Sequence, residues 1–535
     1  MTCILRVRDR LKVRSVPVVM SGATSQLGHD GGSARNRLNM AKRGVRQTRV
    51  REGRLIVVSN RVAVPKRDRK AGGLAVAVGE TLEATGGGWF GWSGNVSPDA
   101  RRLKPQIRLV DGVYIVTIDL TKEELEGYYF GFSNQCLWPL LHYRVDLVHF
   151  EQEYYDQYQI VNRRFANALV QLLGANDIIW IHDLHLIPMA AELRQHKCKQ
   201  PIGFFLHVPF PPPEVVAALP RHHDIFKGLM AYDLVGFQTR RDTDCFRNYA
   251  SQELGADLLK DGSIEFAGHR IQCDAFPVGI DIETFEELST NAEARKQVRY
   301  LKQSVGNRHL IVGVDRLDYS KGLVERLAAY GHFLKHYKEN RTKVVLMQVT
   351  PPSRETLQSY VQIRRELDRL EGDINGEFGE MDWTPVRYIR RAISRSRLAA
   401  LYRASRVGLV TPLRDGMNLV AKEYVAAQDE NDPGVLILSR FAGAAEAMRE
   451  ALIVNPYDVE QVAYALQLAI NMPIEERRER HKALLATIRK EDVHAWSRAF
   501  LSRLTSTKRE FADTLPLGKY SAARVNNNKA RSRGS

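Results

Sequence analysis

The chain has 535 residues, 44% hydrophobic and 26% charged, values of a globular protein long enough for two or three domains. Its net charge of +16 sits mostly in two tails, with 12 Lys/Arg against 3 Asp/Glu in residues 1–53 and 7 against 2 in residues 508–535, and the near-neutral body argues against nucleic-acid binding as the main function. No apolar run reaches the roughly 18 residues of a membrane span, and 5 scattered cysteines without a C-x-x-C pair exclude a zinc ribbon or disulfide scaffold and point to the reducing cytoplasm.

Residues 1–53 are rich in Arg, Gly and Ser, lack apolar periodicity and read as a disordered basic tail. Arg54–Ser59 is a short apolar run ending in polar residues, the pattern of a buried parallel strand. Runs at 177–181, 202–206, 234–237, 310–314, 343–348, 407–410 and 435–438 repeat it, separated by helix-length segments such as 161–173, 323–338, 354–371 and 459–471. This alternation predicts α/β architecture with parallel sheets. The first series ends at Pro277–Asp281 and a second begins at Leu310. Two doubly wound Rossmann-like domains, 54–280 and 281–490, are expected to face each other across a crevice. Residues 491–507 are assigned to a C-terminal helix returning to the first domain, and 508–535 to a second basic tail.

Ligands of such sheets bind at the C-terminal ends of the strands, and the polar residues gather there. Ser59-Asn60-Arg61 follows the first run, and Ala71-Gly72-Gly73-Leu74 precedes a helix, where glycines let backbone N–H groups approach a phosphate or merely make a turn. The glycine-rich stretch Gly86–Gly94, with Trp89 and Trp92, reads as a loop. His182-Asp183-Leu184-His185 lacks the spacing and third ligand of a metal site and suits a hydroxylated substrate better. Asp242-Thr243-Asp244 matches a short metal-binding pattern of sugar transferases, but it opens a helix, where capping and solvation explain it.

The second half is more specific. Arg316 and Lys321 follow the 310–314 strand and suit a diphosphate, as a forked guanidinium and a point charge. After 407–410 comes Asp415-Gly416-Met417-Asn418-Leu419-Val420-Ala421-Lys422-Glu423. A carboxylate before a glycine turn, free N–H groups at a helix start and a second carboxylate inside the helix together make a nucleotide-sugar site.

These segments, with Leu137-Trp138-Pro139, His142-Tyr143-Arg144, Trp180–Asp183 and Phe205–Pro211, resemble in order the retaining nucleotide-sugar glycosyltransferases of the two-Rossmann-domain type (GT-B), most closely the trehalose-6-phosphate synthase family, over residues 54–500. The resemblance implies transfer of glucose from UDP-glucose, or another NDP-glucose, to glucose 6-phosphate with retention. It implies a catalytic set of Asp183, His207, Arg316, Lys321 and Asp415. Donor contacts would come from Gly73, Arg316, Lys321, Ile393, Asp415, Gly416, Met417, Asn418, Leu419, Val420, Ala421, Lys422 and Glu423. Arg61, Tyr129, Trp138, Asp183 and Arg354 would bind the acceptor, with Trp89 or Trp92 in the same pocket. No metal or other cofactor is implied, no nucleic-acid or membrane partner, and the chain is expected to form a homo-oligomer. It lacks a D-x-D-G-T phosphatase signature, so a separate phosphatase should act on the product. Two alternatives stand beside this reading: a glucosylglycerol-phosphate synthase on the same fold, and a non-catalytic regulator that binds sugar phosphate.

Overall fold

The computed structural model describes residues 53–62, 78–79, 81–82, 86–98, 104–354 and 357–507. The basic tails, apart from Gly53, and the loop carrying Gly73 lie outside those residues.

The apolar runs assemble into two sheets. The first contains β1 (Leu55–Arg61), β2 (Gly87–Val96), β3 (Gln106–Val110), β4 (Val113–Leu120), β5 (Ile178–His182), β6 (Ile202–Phe205), β7 (Leu234–Phe237), β8 (Asp257–Leu258), β9 (Ile264–Phe266) and β10 (His269–Ala275). Their spatial order is β3-β4-β2-β1-β5-β6-β7-β10-β9-β8, parallel except for the pairs β3/β4, β10/β9 and β8/β9. The second contains β11 (His309–Val314), β12 (Val344–Val349), β13 (Val386–Ile389), β14 (Val407–Val410), β15 (Val435–Ser439) and β16 (Leu452–Val454). It is parallel throughout, in the order β13-β12-β11-β14-β15-β16.

That second order reverses direction between β11 and β14, and the first does so between β1 and β5. Open α/β sheets bind ligands at such reversals, because the flanking loops turn to opposite faces and leave a cleft. Arg61 ends β1, and the loops after β5, β11 and β14 carry Asp183, Arg316/Lys321 and Asp415 respectively. Topology therefore selects the polar loops.

The helix-length segment expected at 354–371 runs from Gln358 to Phe378, and two further elements differ from the sequence reading. Gly86–Gly94, expected as a loop, is largely strand β2, paired with β1 and β4. A Cβ at Gly91 would stand 2.1 Å from the Ser59 carbonyl oxygen, so glycine here permits close approach to β1 and does not signal a turn. The helix expected from 161 begins at Gln152 and runs to Val170, because Tyr155 and Tyr158 are buried and extend its inner face into a polar-looking stretch.

The helix Val493–Ser506 lies on the first sheet: Trp496 and Phe500 pack on Trp180 at ring separations of 4.8 and 4.6 Å, and Arg503 pairs with Asp274 at 2.8 Å. The chain thus crosses between the sheets a second time, and the Val493 N–H bonds the Ile280 carbonyl of the first crossing at 3.3 Å. Among the described residues no helix is long and apolar enough to cross a membrane.

Candidate active site

On the first-sheet side of the crevice, a tight irregularity between Ser59 and Arg61 ends β1 and leaves Arg61 exposed. Its guanidinium lies 5.6 Å from the Trp92 ring centroid, and Trp92 lies 5.8 Å from the Tyr129 ring. Trp89 is instead a core residue whose Nε1–H donates to Ser59 Oγ at 2.8 Å, so Trp92 is the indole beside the site. Tyr129 belongs to a π-helix, Leu125–Leu137. Side chains five residues on hold its wide turns: Ser133, Asn134 and Gln135 donate to the carbonyls of Tyr128, Tyr129 and Phe130. It delivers Tyr129 and then Trp138, which opens the next short helix.

Trp138 is the meeting point of the two halves. From the second domain, Arg354 sits 4.1 Å and Arg316 6.0 Å from its ring centroid, good cation–π positions. Asp318 and Tyr360 hold Arg354: its Nη1 donates to Tyr360 Oη at 2.7 Å and to Asp318 Oδ2 at 3.4 Å. Asp318 is almost fully buried and also caps the Ser320 N–H, so it ties Arg354 to the loop that carries Lys321.

Asp183 follows β5 with a positive φ of 75°. Its carboxylate accepts weakly from the His207 N–H at 3.4 Å. Burial raises its pKa to about 6, while the N–H groups of Leu184 and His207 and the charges of Arg354 and Arg316 pull it back. His207, after β6, shares a 3.1 Å hydrogen bond with His182, and burial lowers its pKa to about 3, so it is neutral at physiological pH.

On the other wall, Lys321 Nζ lies 2.6 Å from Asp415 Oδ2, which also accepts from Asn418 Nδ2 at 3.0 Å. Asn418 adopts φ 73° and caps the helix Leu419–Ala427 through the Ala421 N–H. Gly416 brings this turn against the first domain: a Cβ there would stand 2.1 Å from the His207 carbonyl oxygen. Beneath the loop, a fully buried Arg326 joins Asp315 at 2.7 Å, Thr411 at 3.0 Å and Gln348 at 3.1 Å, fixing the loops after β11 and β14 to one side chain. Burial raises Glu423 to about 7, opposed by Arg395 and a 3.5 Å contact with Tyr402 Oη.

Helix geometry sorts the 419–423 segment. Leu419 and Glu423, four residues apart, share the partly open face with Val420, whereas Ala421 is fully buried in the second core. Lys422, expected against the nucleotide, has its side chain buried off that open face: its Nζ donates to the Val278 carbonyl at 3.0 Å, close to Glu491. It links the donor helix to the interdomain crossing. Met417 is also buried, and its backbone carbonyl accepts from the Ala444 N–H at 2.9 Å. Ile393 lines a cavity of about 600 Å³ with Met347, Ile389 and Leu401.

Asp242 and Asp244 do not act as a pair. Asp242 is buried and accepts from the Phe210 N–H and the Thr239 hydroxyl, while Asp244 faces Arg247 at the surface. Among the described residues, His222, His223 and Glu253 could hold an ion by number and proximity, but none is a crevice residue named above.

Sequence reasoning missed the supporting residues Asp318, Tyr360, Arg326 and Tyr402. They lie 11 or more residues from their partners or inside helices, and only the folded chain brings them in.

The profile of the family described as glycosyltransferase family 20 matches residues 48–506. The chain is 46% identical over 459 residues to a trehalose-6-phosphate synthase of Sinorhizobium fredii, covering 85% of this chain and 98% of that protein. It is similar to an α,α-trehalose-phosphate synthase (UDP-forming) from Burkholderia xenovorans solved with glucose-6-phosphate, at TM-score 0.81 and 46% identity, covering 85% of this chain and all of that one. It is also similar to an E. coli structure bound with UDP-2-fluoro glucose, at TM-score 0.82 and 43% identity, covering 86% of this chain and all of that one.

Proposed function

The chain belongs to glycosyltransferase family 20, and on that premise we propose that it transfers glucose from UDP-glucose to glucose 6-phosphate with retention, releasing UDP and α,α-trehalose 6-phosphate. The observation that carries this reading is the division of cations across one crevice. Lys321 stands on Asp415, by the glycine turn and helix start of the second domain; Arg61 stands by Trp92 and Arg354 by Trp138, the ring that Arg316 also faces from the donor side. One set suits a diphosphate, the other a hexose phosphate, with Asp183, His207 and Asp415 between them for sugar hydroxyls.

Retention without a covalent intermediate fits these groups. Asp183 is bound by backbone N–H groups and is the acceptor's hydroxyl partner, and neutral His207 cannot act as an acid at physiological pH. The leaving diphosphate takes the proton of the incoming hydroxyl on the same face. Arg316, Lys321 and the N–H groups at Asn418–Leu419 stabilise the charge that develops on it. These fixed cations make a divalent metal unnecessary.

The name of the Sinorhizobium relative and the glucose-6-phosphate complex of the Burkholderia relative favour this acceptor over glycerol 3-phosphate. The assembled Arg316, Lys321, Asp415 and Glu423 favour turnover over a purely regulatory role. We place the enzyme in the cytoplasm, consistent with Cys136, Cys198, Cys245 and Cys273 forming no disulfide among the described residues, as a homo-oligomer whose product passes to a separate phosphatase. The test supplies UDP-, GDP- or ADP-glucose with glucose 6-phosphate or glycerol 3-phosphate and reads product linkage by NMR. An α,α-1,1 product from UDP-glucose and glucose 6-phosphate is expected; turnover only with glycerol 3-phosphate would contradict the reading.

A further inference from the structure

His182 ends β5, and His207 lies two residues beyond Phe205, the residue paired with His182 on β6. Their rings stack with centroids 5.3 Å apart and planes at 27°, and the only hydrogen bond joining them runs between His182 Nδ1 and His207 Nε2 at 3.1 Å. Burial holds both imidazoles neutral, with His207 also depressing His182. Each ring therefore carries one proton, and the shared bond can be polarised in only two ways.

The surroundings of His182 choose between them. Its Nε2 is buried without a protein partner. A proton there would make an orphaned buried N–H, whereas an orphaned lone pair is the more tolerable defect. The indoles of Trp180 and Trp496 pack 4.6 and 6.2 Å from the His182 ring, and their Nε1–H groups are buried and unpartnered as well. Indole nitrogen only donates, so these neighbours favour a lone pair on the imidazole.

We infer that His182 is a positioning residue: its Nδ1–H donates to His207 Nε2, which fixes the proton of His207 on Nδ1 as a hydrogen-bond donor for a hydroxyl of the bound sugar. The assignment of a sugar to His207 rests on the function proposed above; the tautomer does not. Trp496, from the C-terminal helix, also packs 6.2 Å from the His207 ring, so that helix braces the pair from behind.

The test uses the full chain labelled with ¹⁵N-histidine, with no substrate present. Two-bond ¹H–¹⁵N spectra at pH 7, with the His207 signals identified by their loss in His207→Gln, are expected to show a protonated Nδ1 and a bare Nε2. His207 protonated on Nε2 would overturn the inference whatever the enzyme's substrates. In the transferase assay, His182→Phe keeps the ring shape and removes the donor, and it is expected to lower kcat about tenfold, the value of one hydrogen bond. Folded His182→Phe with unchanged kcat and KM would equally overturn it.

Discussion

The two walls of the crevice, one proposed for the donor and one for the acceptor, are built differently. Among the described residues, the wall proposed for the donor is tied together within one domain: Arg326 binds Asp315 and Thr411, from the loops after β11 and β14, and Lys321 is already paired with Asp415. The acceptor wall is composite. Arg61, Tyr129 and Trp138 come from the first domain, whereas Arg354 reaches over Trp138 from the second. A site made by one fold can bind its ligand while the domains are apart; a site made by two is finished only when they meet. Donor first, then closure, then acceptor is the order this difference implies.

The largest effect expected on that contrast is at Lys321. Charge builds on the leaving diphosphate in the transition state, so Lys321→Ala should lower kcat by about 10- to 100-fold, the value of a charge-assisted contact of about 1.5–3 kcal/mol. Steady-state rates check this, and an effect confined to the KM of glucose 6-phosphate would place Lys321 on the wrong wall. Next comes Arg61→Ala, which should raise the KM of glucose 6-phosphate about tenfold and leave UDP affinity by calorimetry unchanged.

Glu423→Gln should have a smaller effect, weakening the donor by about severalfold through the loss of an anionic acceptor for ribose hydroxyls. It also carries a pH signature. Burial raises Glu423 to about 7, so between the ordinary carboxylate range and that value the folded chain holds a proton that the unfolded chain has lost. Ionising it costs stability, and the cost is full above about pH 7. Glu423→Gln should therefore raise Tm at pH 8 more than at pH 5, and a wild-type donor KM should rise as pH falls below about 7. Removal of divalent cations with EDTA should leave turnover unchanged; rescue only by Mg²⁺ or Mn²⁺ would show that cations of the protein do not suffice.

The donor wall was also the more legible in the sequence. Strand, loop and helix follow one another within a dozen residues there, so Lys321 and Asp415, which the fold pairs, stand out in the sequence as neighbours of two strand ends. The side chain of Lys422 does not share the open face of Leu419 and Glu423, because adjacency along a helix is not adjacency on its face. The acceptor wall draws on a π-helix and on a glycine-rich strand that looked like a loop, and neither leaves the apolar period of an ordinary element. The choice of Trp92 over Trp89, and the tie of Asp318 to Tyr360 that holds Arg354, depend on packing between segments tens of residues apart.

The composite acceptor wall is tested most directly by Arg354→Ala, measured in two ways on the same preparation: UDP binding by calorimetry without acceptor, and the KM of glucose 6-phosphate in the transferase assay. An unchanged UDP affinity and a glucose 6-phosphate KM raised about 10- to 100-fold are expected. Loss of UDP affinity with an unchanged glucose 6-phosphate KM would contradict the composite wall and assign Arg354 to the donor.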